Sequence, residues 1–561
     1  MMKINGSQIV LEVLLEQKVD TIFGYPGGTI LNVYDALYKN SDRLRHVMTA
    51  HEQGAAHAAD GYARATGKTG VVFATSGPGS TNLVTGIATA YMDSTPMVAI
   101  TANVPTALIG SDSFQEAYIT GITMPITKHN YVVRRVEDLA DTLRDAFRIA
   151  NSGRKGPVLV DIPKDVTAAE CEYTPKPPVV PTNGVKKPDP TTLGEMAKAI
   201  NAASRPMVHF GGGVTTSGAA DVLREFLAKT GIPACHTIMG VGVLSHDEPY
   251  NMGLLGMHGT VSAGLAVDGC DLLVVVGARF SDRVVTNKGD FASRARVVRI
   301  DLDPAEMNKC FMSDLNLVAD VAEALKALTA LCESGNGRLA DWHRQLDAWK
   351  AADVKPPVSQ DKLRPYQVIT TLSNALGGEG IIATDVGQHQ MWAAQYAKRA
   401  RPRSFLTSAG LGTMGFGMGA AIGAQVAFPD RRVVLVTGDG SFHMNLNELC
   451  TAVSYDLPIV VVVMNNGVLG MVRQWQTLFY GERYASTDPE RKTNFVKLAE
   501  AFGASGYRAT TPAEFESSMT HALASMRPCV IDCIIDKDEM VMPMIPSGLT
   551  VKQALTDLNN G

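Results

Sequence analysis

The chain has no apolar run approaching the roughly 18 to 20 residues of a helical membrane span, which argues against a bilayer-crossing protein. It has no basic excess. Its 51 Lys and Arg against 56 Asp and Glu leave a net charge of −5, so there is no electrostatic footprint for nucleic acid. It has no Cys-x-x-Cys spacing: eight cysteines are scattered, with Cys529 and Cys533 the nearest pair. They read as buried free thiols and not as zinc ligands or a disulfide framework. The first residues, Met1-Met2-Lys3-Ile4-Asn5-Gly6, carry neither a secretory apolar segment nor an Arg- and Ser-rich transit peptide. A cytoplasmic protein is the expectation. What the chain does have is an ordinary globular balance, with 45% hydrophobic and 19% charged residues over 561 positions. That length suits roughly three or four domains.

Short β-branched runs alternate with helical patterns throughout: 70–74, 97–100 and 158–161, then 206–210, 272–276 and 297–301, then 433–437 and 459–463. Such alternation predicts an α/β fold with three doubly wound parallel-sheet domains. Two polar, proline-bearing stretches separate them. The predicted division is an N-terminal domain 1–172, a linker 173–190, a central domain 191–335, a second linker 336–362 with a helix around Trp342 and Trp349, a C-terminal domain 363–545 and a tail 546–561. No exact internal repeat is visible. The first and third segments do share a glycine-rich turn after a buried strand, Thr75-Ser76-Gly77-Pro78-Gly79 against Thr437-Gly438-Asp439-Gly440.

The densest chemistry lies between Val433 and Asn466. A buried strand ends in Gly438-Asp439-Gly440-Ser441, and a second ends in Met464-Asn465-Asn466. Glycines after a strand let backbone approach a phosphate closely. The Asp439 carboxylate and Asn466 amide oxygen are hard ligands suited to Mg²⁺ holding a diphosphate. Both sit at strand carboxyl ends, where open α/β sheets bind ligands. Their separation fits one helical crossover. The pattern resembles the thiamine diphosphate motif, which implies a third metal ligand at the Val468 carbonyl.

Further motifs narrow the resemblance: His51-Glu52-Gln53-Gly54-Ala55, Ser76-Gly77-Pro78-Gly79-Ser80-Thr81-Asn82, Phe23-Gly24-Tyr25-Pro26-Gly27-Gly28, Phe114-Gln115-Glu116, Val160-Asp161-Ile162-Pro163-Lys164, Gly410-Leu411-Gly412-Thr413-Met414-Gly415, and Leu469-Gly470-Met471-Val472-Arg473-Gln474-Trp475. From about Ser7 to Pro546 the chain resembles the acetohydroxyacid (acetolactate) synthase family. This implies an enzyme that decarboxylates pyruvate and ligates the two-carbon unit to a second pyruvate or to 2-ketobutyrate, in branched-chain amino acid synthesis. The fold implied is the thiamine diphosphate-binding fold around a central FAD-binding, Rossmann-like domain. Glu52 is the implied catalytic residue, placed against the cofactor's pyrimidine, and Gln115 is implied as another thiamine diphosphate contact. Gln388, His389, Gly412, Met414, Gly440, Ser441 and Met471 are the implied remaining thiamine diphosphate contacts, Met414 as the wedge between its rings. Gly28, Phe114, Gln115, Lys164, Arg283, Met471 and Trp475 would line the substrate pocket. A planar guanidinium at Arg283 suits the second keto acid's carboxylate.

For FAD, Gly211-Gly212-Gly213 and Gly277 follow buried strands, and Asp301 ends a third, where an acid suits a ribose hydroxyl. By resemblance the rest of that site comprises Arg154, Thr237, Ile238, Leu255, Met257, His258, Arg279, Asp320 and Val321. The net reaction involves no redox change, which gives the flavin a non-redox role. Departures from the family pattern are Ser281 for an aspartate, Gly417-Met418-Gly419-Ala420 for a proline-bearing run, and Gly467-Val468 for a bulkier polar pair. The short tail after Pro546 puts a C-terminal lid in doubt. Self-association into a dimer or tetramer with sites at the subunit interface is implied, and a small regulatory subunit is left open. Competing readings are a pyruvate oxidase-like or glyoxylate-ligating relative and a catalytically dead partner. Intact Glu52, Asp439 and Asn466 and the Gly470–Trp475 block weigh against all three.

Overall fold

In the computed structural model, residues 2–181, 187–335 and 337–556 are described; linker positions 182–186 and 336 and the tail from 557 lie outside the described residues. Three six-stranded parallel sheets follow one another along the chain. The first runs, edge to edge, Arg45–Met48, Thr21–Gly24, Gly70–Ala74, Met97–Asn103, Pro157–Pro163, His129–Val132. The third runs Phe405–Leu406, Ile381–Thr384, Val433–Gly438, Val460–Asn465, Cys529–Ile534, Ser505–Ala509. Ranked within its own sheet, each follows the order 2-1-3-4-6-5, so these two domains share one topology. The middle sheet differs: from Asn251–Leu254 through Pro206–Phe210 to Leu315–Val318 it has the 3-2-1-4-5-6 order of dinucleotide-binding folds. A two-stranded antiparallel ribbon, Met2–Asn5 with Glu170–Tyr173, closes the first domain.

The strands form where the sequence is β-branched because parallel strands are buried on both faces. Val433 to Val436 and Ile459 to Val463 are fully buried. Each sheet reverses strand order at one central pair. The turns at those switch points are Tyr25-Pro26 with Thr75-Ser76, Gly211-Gly212 with Gly277-Ala278, and Asp385-Val386 with Asp439-Gly440. Crevices at such reversals are where open α/β sheets hold ligands.

The helix Glu52–Thr66 is capped by the His51 side chain and stopped by Gly67 in the left-handed region at φ 79°. It lies against Phe416–Ala427, and both helices are built of small residues. A methyl on Gly61 would sit 2.5 Å from Ala420 Cα, and one on Gly423 would sit 2.6 Å from Tyr62 N. Glycine is required at both crossings. The helix Ala340–Ala351, expected from the Trp342–Trp349 pattern, packs on the middle sheet, with Trp342 Nε1 donating to Pro206 O at 3.1 Å. The tail returns to the middle domain as well: Ile545 N donates to Met257 O and Gly548 N to Thr286 O, each at 2.8 Å. All eight cysteines are free, but the reading of them as buried needs correction. Cys310 is exposed and Cys171 and Cys450 are half-buried, because Cys310 lies in a loop, Cys171 on the two-stranded ribbon and Cys450 on the helix Leu449–Ser454, none of them on a strand between layers. No helix among the described residues is long and apolar enough to cross a membrane.

Candidate active site

Three loops leaving the carboxyl edge of the third sheet build the diphosphate half of the site. Asp439 opens the helix Asp439–Asn445 directly after its strand and is 4% exposed. Burial pushes its carboxyl up to about 6, and a divalent cation is the counter-charge that such a buried carboxylate accepts. Asn466 follows the next strand; its Oδ1 accepts from Val468 N at 3.2 Å, a turn that Gly467 permits at φ 72°. Asn466 Nδ2 donates to Gln388 Oε1 at 3.3 Å, and Gln388 Nε2 donates onward to Gln474 Oε1 and Glu539 O. Ser441 Oγ donates to Val386 O at 2.8 Å. The ring of His389 is held neutral by burial, at about 3, and its Nε2 is buried without a protein partner. A donor set of one carboxylate, one amide and backbone carbonyls, with a free buried imidazole nitrogen beside it, fits Mg²⁺ and a diphosphate. Among the described residues no group of three or more His, Cys, Asp or Glu is placed to hold a metal, as befits a site with one carboxylate.

Met414 lies in the loop 409–415, tied at both ends. Thr413 Oγ1 bonds Thr89 Oγ1 at 2.7 Å, Gly415 N donates to Asp385 Oδ1 at 2.7 Å, and Asn445 Nδ2 donates to Gly415 O at 2.9 Å. Asp385 is a site residue that sequence reasoning missed. Its signal was available: an acid at the end of a buried strand, as at Asp439. Burial raises it to about 6, against bonds from Gly415, Thr437 and other backbone groups that lower it.

Glu52 heads its helix in the first domain, 8% exposed, and Asn82 Nδ2 donates to its Oε2 at 2.9 Å. Glu448 of the third domain caps the same helix start, accepting from Ala50 N and His51 N at 3.1 and 3.0 Å. No sequence signal could have paired residues so far apart.

A cavity of about 960 Å³ is lined by all three domains, and every residue named for the flavin except Gly211 lines it. The turns at Gly213 and Gly277 pack so closely that a methyl on Gly213 would lie 2.6 Å from Gly277 Cα. Asp301 is largely buried and raised by that burial, accepting from Asp303 N and Arg299 Nη2. His258 Nδ1 is buried with no protein partner. Lined by glycine turns and by Asp301, the cavity fits a flavin dinucleotide. Arg283, Met471, Trp475 and Gly412 line the same cavity. Trp475 and Phe479 meet edge to face at 5.2 Å on the helix Gly470–Phe479. The remaining pocket residues, Gly28, Phe114, Gln115 and Lys164, lie on the first domain and do not line this cavity. Phe114 is 87% exposed there.

Three family models match in chain order: "Thiamine pyrophosphate enzyme, N-terminal TPP binding domain" over residues 4–122, the "central domain" over 193–328 and the "C-terminal TPP binding domain" over 385–533. The chain is 46% identical over 558 residues to "Acetolactate synthase large subunit" of Parasynechococcus marenigrum, covering 97% of this chain and 90% of that one. It is 45% identical over 561 residues to "Acetolactate synthase isozyme 2 large subunit" of Escherichia coli, covering 99% and 100%. A "Probable acetolactate synthase large subunit" of Methanocaldococcus jannaschii is 45% identical over 559 residues, covering 97% and 94%. The chain belongs to the acetolactate synthases. Members of this family are thiamine diphosphate enzymes with Mg²⁺ and FAD, and the three sheets, the Asp439–Asn466 crevice and the middle cavity are accounted for together. The middle match falls on the dinucleotide-type sheet, and the outer two fall on the pair that share a topology.

Proposed function

We propose that this acetolactate synthase assembles its site from the residues above, with domain 363–545 holding the diphosphate, 1–172 the pyrimidine and 191–335 the flavin. Asp439, Asn466 and the Val468 carbonyl would hold Mg²⁺, and Gln388, His389, Gly440 and Ser441 the diphosphate. Thiamine diphosphate, when bound, would supply the nucleophilic carbon needed to decarboxylate a 2-keto acid and transfer its two-carbon unit. Glu52, oriented by Asn82, would hold and move the proton at the pyrimidine ring. Met414, with glycines on either side, would pack between the rings. Two pyruvates give 2-acetolactate and CO₂ with no change in electron count, so FAD would hold the cavity walls in place without exchanging electrons.

The observation that carries the acceptor assignment is that Arg283, its side chain largely exposed, lines the same cavity as the apolar Met471 and Trp475. A cation and apolar side chains sharing one cavity suit a small 2-keto acid, pyruvate or 2-ketobutyrate.

Glu52 and the four pocket residues of the first domain do not line this cavity. We infer that a second copy supplies them, giving a dimer with sites at the subunit interface. Mixing inactive Glu52→Gln with inactive Asn466→Ala protein should then restore partial activity, since each heterodimer carries one site with neither defect. Subunit exchange is verified first by mass. Verified heterodimers that stay inactive would place the site within one chain. The relatives' designation as large subunits supports a separate small subunit with a regulatory role. The runner-up chemistry, a flavin-redox relative, is distinguished by product: 2-acetolactate, as against acetyl phosphate with bleaching of the flavin.

A further inference from the structure

Asp93 stands just past the helix Val84–Met92 of the first domain, and its side chain is fully buried. Its carboxylate accepts hydrogen bonds from three residues. Oδ2 accepts from Arg64 Nη2 at 3.0 Å and from Ala409 N at 2.9 Å, and Oδ1 accepts from Gly410 N at 2.7 Å. Ala409 and Gly410 open the loop that carries Met414. Two consecutive backbone N–H groups on one carboxylate fix the direction in which that loop leaves its strand, since charge-assisted bonds of this kind are short and strong. Arg64 is itself paired with Asp60 and donates to Thr407 O at 2.8 Å, so the strand end is held as well as the loop.

The same segment faces the flavin cavity. Arg154, one of the residues that would hold FAD, donates from Nε to Ser94 Oγ at 2.8 Å, next in sequence to Asp93, and from Nη1 to Glu306 at 3.1 Å. Arg279, also lining the cavity, lies beside Gly410: a methyl there would lie 3.1 Å from Arg279 Nη2 and 3.0 Å from Asp93 Oδ1. Any cavity ligand that draws Arg154 and Arg279 toward its phosphates acts on both sides of Asp93. From these contacts we infer that Asp93 is a positioning residue coupling the flavin cavity to the Met414 loop, so that a dinucleotide in the one and Mg²⁺–thiamine diphosphate at the other bind cooperatively. The inference rests on the reading of the middle cavity as the flavin site. A flavin that exchanges no electrons thereby acquires a thermodynamic role, since it sets the loop against which the thiamine cofactor is held.

Coupling is reciprocal, and typical couplings are roughly 5- to 150-fold in affinity. The test uses the full-length protein freed of both cofactors, at a concentration where light scattering shows the same oligomeric state with and without FAD. Mg²⁺–thiamine diphosphate is titrated by calorimetry without FAD and at saturating FAD, and FAD is titrated the same way with and without thiamine diphosphate. Wild-type protein should show the same factor, at least about fivefold, in both directions. Asp93→Asn should bring the factor close to one, while leaving FAD alone bound as tightly as in wild type. A folded Asp93→Asn protein with the wild-type factor overturns the inference, and so does a wild-type factor of one with both ligands binding. Failure of FAD to bind wild-type protein overturns the reading of the cavity as well, and is seen in the FAD titration alone. Removing a buried charge partner is destabilising. Should Asp93→Asn not fold, Ser94→Ala decides, because it cuts only the Arg154 link. It should reduce the factor by at least half with thiamine diphosphate affinity in the absence of FAD unchanged, and an unaltered factor refutes the coupling.

Discussion

Replacing Trp475 with leucine should shift the choice of acceptor without unsettling the fold. Trp475 lies half-buried on the cavity wall, with its ring against Phe479 and with Met471 one turn away, and it is absent from the packed core of the third domain. The acceptors differ by one methylene. Removing a methylene from water contributes about 0.8 kcal/mol, and in a formed pocket it discriminates by about 1–3 kcal/mol. Leucine keeps part of the apolar wall. The expected loss of preference for 2-ketobutyrate is therefore several-fold to tens-fold, and activity on pyruvate alone should persist. The assay is competition: both keto acids at equal concentration, with the ratio of 2-aceto-2-hydroxybutyrate to 2-acetolactate measured at low conversion. Thermal melts run alongside should move little, because a wall residue makes few core contacts. An unchanged ratio together with a melt lowered by many degrees would make Trp475 a core residue and refute the wall assignment.

Asp439→Ala should abolish binding of Mg²⁺–thiamine diphosphate in calorimetry, yet leave the melting temperature of the cofactor-free protein unchanged or higher, since a buried carboxylate is removed; retained affinity would void the metal assignment. Asp161 is buried in the first domain, and burial raises it to about 6 although Thr101 Oγ1 and Asn103 Nδ2 each donate to it at 2.6 Å. A carboxyl raised in the folded state is destabilising while charged, so stability should increase as the pH falls from 7 through 6 toward 4, by up to about 3 kcal/mol. Asp161→Asn should lack that gain, and melts at pH 5 and 7 that shift equally in both proteins would count against it.

The strands are legible because a parallel strand buried on both faces favours β-branched side chains, and the run 460–463 supplies nothing else. The proposed metal pair, Asp439 and Asn466, is legible because both members sit at strand ends a single crossover apart. What stays hidden depends on the chain meeting itself over long distances. Glu448 capping the helix of Glu52 and Asp93 holding Gly410 join residues more than 300 positions apart, and no local pattern marks either. Asp385 is within reach of a sequence argument, but a lone acid after a strand has no second ligand to advertise it. The shared topology of the outer domains is hidden for the converse reason: any β-branched run satisfies a buried strand, so the order of strands leaves little trace in residue identity. Cys310 is misplaced because composition alone does not tell a loop cysteine from one on a buried strand.

The crossing of Glu52–Thr66 with Phe416–Ala427 governs when the polypeptide can fold during its own synthesis. The first of these helices is buried on nearly every face, including His57, Asp60 and Arg64, and its cover comes from residues beyond 400. An N-terminal fragment, however complete its own sheet, would leave an alanine- and glycine-rich helix facing water with an ion pair uncovered. A ribosome must therefore deliver the whole middle domain and the first strands of the third before the first domain can close. The middle domain, with its own sheet and core, is free to settle in the meantime. In order of assembly, the second domain comes first, and the two outer domains complete each other.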